Sequence, residues 1–198
     1  MKKRSRALCA LASVAGLMLS APTAFAEVEP GGWTSYSPTF TVQQRGCGVV
    51  NNLTFQLTCS TGSGDQRAER RYATYSSGTR QFEGYFRISS MAGTRISLKQ
   101  TFNESAAGPF FMLAVERGGR LYRVGGDTIA TGATVGTTVR VNTVHVVGSA
   151  HRTYINGSQR HSMSSPGGNF YDKFGSYRTD SGAGPITTVW SDVRFWRK

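Results

Sequence analysis

Cysteine, histidine, acidic residues and long apolar runs are all scarce in this chain of 198 residues, and each scarcity removes a class of protein. The three cysteines and three histidines nowhere cluster at the spacing of a metal site, so no metal and no cofactor is expected. The 11 acidic residues are dispersed, and no Glu-x-Asp-x-x-Glu run occurs. That argues against a sandwich-fold glycosidase, which needs paired carboxylates around one bond. Past the N-terminal head the basic residues are scattered rather than blocked, which argues against a nucleic-acid-binding tail. One apolar run stands near the N-terminus and no second one follows, so nothing else suggests a membrane anchor.

That run sits in a recognisable order. Lys2, Lys3, Arg4 and Arg6 form a basic head, Ala7 to Leu19 is apolar, and Ala24-Phe25-Ala26 offers small residues to a signal peptidase. The run is too short to span a bilayer, and the pattern is that of a secretory signal over residues 1–26, with the mature chain starting near Glu27. Localisation is therefore expected to be extracellular or periplasmic, with no membrane association after cleavage. Four basic residues and no acidic one leave with the signal. The surplus of 12 positive charges falls to eight, which favours a polyanionic partner. Cys9 leaves too. Cys47 and Cys59 remain, and in an exported chain they are expected to form a disulfide, contributing about 3 kcal/mol in the chain-entropy model.

Residues 27–198 are enough for one domain with a real core, and no internal repeat or interdomain linker is evident. Helical periodicity is missing. Short β-branched and aromatic runs alternate instead with Gly, Ser and Asn turns. Strands are predicted at Leu53–Thr58, Glu69–Tyr75, Gln81–Ile88, Ile96–Asn103, Phe110–Val115, Thr138–Val141, Val144–Val147, Arg152–Ile155 and Thr187–Phe195. Asn156-Gly157 suits a type I′ hairpin turn. Loops are predicted at Ser162–Asn169 and over Gly182-Ala183-Gly184-Pro185. Many short strands at this spacing read as a sandwich or barrel.

Three constellations carry chemistry. In Arg67-Ala68-Glu69-Arg70-Arg71, alternation along a strand puts Arg67, Glu69 and Arg71 in one row, with the glutamate holding two guanidiniums that suit carboxylate ligands. In the run from Tyr171 to Arg178, the residues Tyr171, Lys173, Gly175 and Tyr177 share a face, and Gly175 is expected to leave room there for a ligand. Nearby cations favour a phenolate, and a tyrosine among them can exchange protons with a substrate. In Lys99-Gln100-Thr101-Phe102-Asn103, Gln100 can hydrogen-bond a carboxylate, but simple alternation puts it on the side of Ile96, Leu98 and Phe102. Either the site is partly apolar there or a bulge shifts the phase.

Arg-x-Glu-x-Arg, a Gln-bearing strand and Tyr-x-Lys-x-Gly-x-Tyr, in this order, resemble the jelly-roll alginate lyases of polysaccharide lyase family seven. The resemblance implies an all-β, concanavalin-like jelly-roll sandwich of two antiparallel sheets with an open groove. It implies Arg67, Gln100 and Tyr177 around the scissile uronate, with Glu69, Arg71, Tyr171, Lys173 and Asn103 binding substrate. One departure stands out: Gln100-Thr101-Phe102 occupies the place of the family's Gln-Ile-His, so Phe102 replaces a histidine. The remaining histidines, His145, His151 and His161, lie in no matching motif. The expectation is a lyase for a mannuronate- or glucuronate-type polymer, acting as a monomer on an anionic polysaccharide and not on nucleic acid. The alternative is a secreted, non-catalytic module that binds such a polymer.

Overall fold

The computed structural model describes residues 28–60, 65–178, 182 and 184–198. The signal segment 1–26, the expected mature start at Glu27, and Ala183 of the second predicted loop lie outside the described residues. Among those described there is no helix. Fifteen strands are present: β1 (Thr34–Tyr36), β2 (Phe40–Arg45), β3 (Gly48–Asn51), β4 (Thr54–Leu57), β5 (Arg67–Tyr72), β6 (Thr79–Met91), β7 (Arg95–Asn103), β8 (Gly108–Glu116), β9 (Leu121–Arg123), β10 (Thr128–Ala130), β11 (Thr138–Val146), β12 (Ala150–Ile155), β13 (Ser158–Ser164), β14 (Phe170–Tyr177) and β15 (Ile186–Arg197).

They form two antiparallel sheets. The first runs β13-β12-β11-β6-β15-β4-β3, with β1 also paired to β15; the second runs β10-β9-β8-β7-β14-β5-β2. The sheets face each other across one apolar core, which the alternation of each strand supplies: Phe82, Phe86 and Ile88 from β6, Phe111, Leu113 and Val115 from β8, Phe174 from β14 and Trp190 from β15. Trp190 and Phe174 approach to 4.9 Å between ring centroids, and Phe82 lies 5.6 Å from Phe174. Truncating Phe174 to alanine would cost about 3–5 kcal/mol. Gly84 makes room for this packing, because a Cβ there would stand 2.9 Å from the Trp190 ring.

The hairpin at Asn156-Gly157 has both residues at positive φ, 51° and 82°, as a type I′ turn requires. Cys47 and Cys59 are bonded, with Cα atoms 5.7 Å apart, across the base of the β3–β4 hairpin.

Several boundaries differ from those the sequence predicts. Thr138–Val141 and Val144–Val147 are one strand, β11; Asn142 and Thr143 continue the ladder opposite Glu83 and Phe82 instead of breaking it. The predicted loop at Ser162–Asn169 begins later, because β13 runs to Ser164 and pairs Ser162 with Arg152. Its polar side chains hide a ladder made by backbone groups, as edge strands often do. Strands β1, β2, β3, β9, β10 and β13 are absent from the predicted set, and β14 enters the sequence reading only through the motif from Tyr171 to Arg178.

Candidate active site

Three adjacent strands of the second sheet bring the motifs together. On β14, Lys173 lies opposite Arg71 of β5 on one side and opposite Gln100 of β7 on the other. Tyr177 lies opposite Arg67, and Tyr171 opposite Phe102. The side chains of Arg67, Arg71, Gln100, Phe102, Tyr171, Lys173 and Tyr177 line one depression of about 360 Å³ on the face turned away from the core.

The question of phase at Gln100 resolves through a bulge. Pairing of β7 with β8 shifts between Ser97 and Lys99. Ile96 and Leu98 therefore join the core, while Gln100 and Phe102 turn to the depression. The site is partly apolar as well: the Phe102 ring stacks on Tyr171 at 4.9 Å and 12°, and Pro109 and Met112 stand beside it.

Glu69 is only 2 % exposed. Its Oε1 accepts a hydrogen bond from Gln100 Nε2 at 2.6 Å, and its Oε2 lies 3.8 Å from Lys173 Nζ. This corrects the expectation that Glu69 holds the arginines. Arg67 is instead paired with Asp65, and Arg71 Nη2 donates to Glu104 Oε1 at 2.9 Å. Glu69 thus orients the glutamine and the lysine. Burial pushes its carboxyl above the usual carboxylate range, with Lys173, Arg67 and the Gln100 hydrogen bond pulling the other way. Burial likewise lowers the Lys173 amine, against the pull of Glu69, and Arg67 and Arg71 lower it further.

The two tyrosines sit under guanidiniums. Arg67 lies 5.1 Å from the Tyr177 ring centroid and Arg71 lies 4.0 Å from that of Tyr171.

Gly175 does not open the site, contrary to expectation. A Cβ on it would stand 2.3 Å from the carbonyl oxygen of Ala68 and 2.8 Å from the Phe55 ring, and its φ is +140°. The glycine is required for close packing of β14 against β5, at a register shift between Phe174 and Tyr177. Asn103 is not brought to the depression: it is buried, and its Oδ1 accepts from Ala106 N at 3.1 Å to hold the turn after β7. Four lining residues are missing from the sequence-based set, the apolar Pro109 and Met112 and the polar Gln43 and Glu104. Gln43 stands opposite Glu69 on β2, a strand the sequence analysis leaves out, and Glu104 follows β7. The alternation Phe40-Thr41-Val42-Gln43 is the available signal for β2.

Directly behind the depression, between the sheets, lies a second polar cluster. Lys99 Nζ is fully buried; it pairs with Asp172 and donates to the Gln100 carbonyl at 3.0 Å. Thr101 Oγ1 donates to Asp172 Oδ1 and shares a 3.1 Å hydrogen bond with His151 Nε2. His145 is bonded to the Tyr75 hydroxyl at 2.9 Å and to Ser165 Oγ at 2.7 Å. Burial holds His145 down to about 4 and His151 well below the usual histidine range, so both are neutral at pH 7. His161 is half-buried on β13, and none of the three lines the depression.

No family model matches the sequence, and no curated protein sequence matches it. Solved structures do match. An alginate lyase of polysaccharide lyase family 7 superposes with a TM-score of 0.60 at 21 % identity, over 83 % of this chain and 85 % of that one. The alginate lyase from Corynebacterium sp. gives 0.62 at 19 %, over 83 % of each chain. One from Pseudomonas aeruginosa gives 0.59 at 16 %, over 79 % of this chain and 86 % of its own. The architecture of this protein is therefore that of the jelly-roll alginate lyases.

Proposed function

We propose that this protein is an exported polysaccharide lyase that cleaves a 4-linked acidic polysaccharide by β-elimination. The observation that carries the reading is the convergence of Tyr177, Arg67, Gln100 and Lys173 on one depression. The likeness to alginate lyases and the disulfide support it.

Elimination removes the proton at C5 of a uronate and expels the oxygen at C4. The obstacle is the weak acidity of that proton. Charge flows into the carboxylate as the proton leaves, and positioned donors stabilise it. Gln100 is suited to this. One Nε2 hydrogen is fixed by Glu69, which orients the amide, and the other serves the substrate carboxylate. Arg67 and Lys173 supply positive charge. Tyr177 as phenolate takes the C5 proton, and the resulting phenol returns it to the departing O4. A C4–C5 double bond and a new free hydroxyl result.

In mannuronate and glucuronate the C5 proton and O4 lie on the same face of the ring, so one tyrosine serves both steps. In guluronate they lie on opposite faces, and a second group is useful. Phe102 stands where the family has a histidine, and His145 and His151 are packed behind the site. The same-face polymers are therefore the proposed substrates. The Phe102 replacement also favours a second reading, a module that binds the polymer without turnover.

Polymannuronate, glucuronan and polyguluronate, screened for the absorbance of the unsaturated product, separate these readings. The first two are expected to be cleaved faster, and Tyr177→Phe to cut turnover by a factor on the order of 10² or more while binding persists. Binding without product leaves the module; polyguluronate as best substrate refutes the same-face assignment.

A further inference from the structure

A second depression lies on the other face of β5, at the open edge of the sandwich. Its cavity of about 300 Å³ is walled by Tyr36, Phe40, Tyr72 and Phe195, with Arg70 and Arg194 among its lining. Phe40 is 45 % exposed, although it is a large aromatic side chain on an edge strand. The Arg70 guanidinium lies 4.3 Å above its ring. Asn52 fixes that guanidinium, its carbonyl oxygen accepting from Arg70 Nη2 at 2.9 Å.

The two depressions adjoin a common neighbour. A third, of about 230 Å³, wraps the end of β2 and β5 between them. It shares Arg71 with the candidate active site, and Phe40 and Tyr72 with the edge cavity. Among the described residues no carboxylate lines either the edge cavity or the third one. Arg70, held by an amide residue rather than by a carboxylate, keeps a positive charge that favours an anion. An exposed aromatic ring suits the flat C–H face of a pyranose, and a fixed guanidinium fork suits a carboxylate. Together they match one ligand, a uronate ring.

We propose that the acidic polymer held in the candidate active site continues past Arg71, around the end of β2, into a remote uronate subsite at Phe40 and Arg70. The inference rests on the lyase reading and adds to it a length requirement. Only chains long enough to reach both sites gain from the second, through the raised local concentration that linkage provides.

The test compares wild type with Phe40→Ala and Arg70→Gln, using purified mannuronate trimers and long mannuronate oligomers. Each variant is expected to raise KM on long oligomers about fivefold or more, with kcat and trimer kinetics unchanged. Unchanged KM on long oligomers in both variants overturns the subsite. An equal rise on trimers and long oligomers overturns it as well, since the active-site depression itself would then be disturbed. If wild type yields no unsaturated product, the lyase reading fails by itself. Direct titration of the same oligomers then decides the subsite. A loss of affinity confined to long chains supports it, and equal affinity of variants and wild type sinks it.

Discussion

The two faces of the second sheet carry alternate residues of the same strands, yet they treat charge in opposite ways. On the inner face Lys99 is saturated: its ammonium meets Asp172, Thr101 Oγ1 and the Gln100 carbonyl. On the outer face, one residue along, Lys173 has Glu69 only at 3.8 Å, and Glu69 Oε2 accepts no hydrogen bond among the described residues. A closed network is what a core needs, because an unpaired buried charge is costly. A row of charges with spare hydrogen-bonding capacity is what a ligand needs. The contrast separates a lysine closed into the core from the one that the proposed function uses, only a few residues away in space.

Substitution should break the inner face first. Lys99→Met leaves Asp172 buried without its partner and is expected to cost about 3–5 kcal/mol of stability in urea unfolding. Replacing Asp172 by Asn in the same chain should recover part of that. A Lys99→Met variant as stable as wild type would show that the inner pair is not structural.

Acid probes the same layer. His145 binds a proton near pH 6.5 when unfolded but only near 4 when folded. Between those values the unfolded chain holds more protons, so stability rises with pH there and is lost as pH falls. About 3 kcal/mol should disappear between pH 6.5 and 4 through His145, with His151 adding in the same direction. Urea midpoints at pH 7, 6, 5 and 4 check this, and His145→Gln should flatten the acid limb.

The outer face should answer chiefly in turnover. Gln100→Ala is expected to lower kcat by a factor on the order of 10², the loss of one preorganised donor, and to cost about 1–3 kcal/mol of stability because buried Glu69 loses its hydrogen bond. Such a loss of stability with kcat unchanged would mean that Gln100 belongs with the inner network. The smallest effect concerns salt. Exposed charges are screened within about 10 Å at 0.1 M ionic strength, so affinity for an acidic polymer should fall about tenfold from 0.05 to 0.5 M salt. Insensitivity to salt would argue that the cations of the depression do not bind the polymer.

Much of this arrangement is legible in the amino-acid sequence. The long strands β6, β7, β8 and β15 announce themselves by alternation, because one side of each feeds the core. Arg67, Gln100 and Tyr177 stand out by the order and spacing of their motifs, and the sheet does set them side by side. What stays hidden depends on partners far away in sequence. Glu69 sits beside its own arginines in the chain, but Asp65 and Glu104 claim them and leave Glu69 to Gln100. Nothing beside Lys99 in the sequence marks it as buried; Asp172, which is 73 residues on, takes its charge inside. Asn142 and Thr143 look like a break because polarity inside a strand normally marks its exposed side, whereas here both are buried. Gly175 looks like an opening, and only the register shows that Ala68 and Phe55 already fill the space.

Strand order also bears on how the molecule comes into being. β15 lies in the interior of the first sheet, between β6 and β4, and β14 lies in the interior of the second, between β7 and β5. Both belong to the last 29 residues of the chain, Phe170–Arg197 with their flanks. Until that segment arrives, β3 and β4 have no bond to β6, and β2 and β5 none to β7. A growing chain is thus two unconnected half-sheets on each layer. Assembly must wait for contacts between distant parts of the sequence, a topology that folds slowly. The depression waits with it, since Arg67, Gln100 and Tyr177 stand on β5, β7 and β14. Losing the final strands would not shorten the protein at an edge; it would unfasten it through the interior.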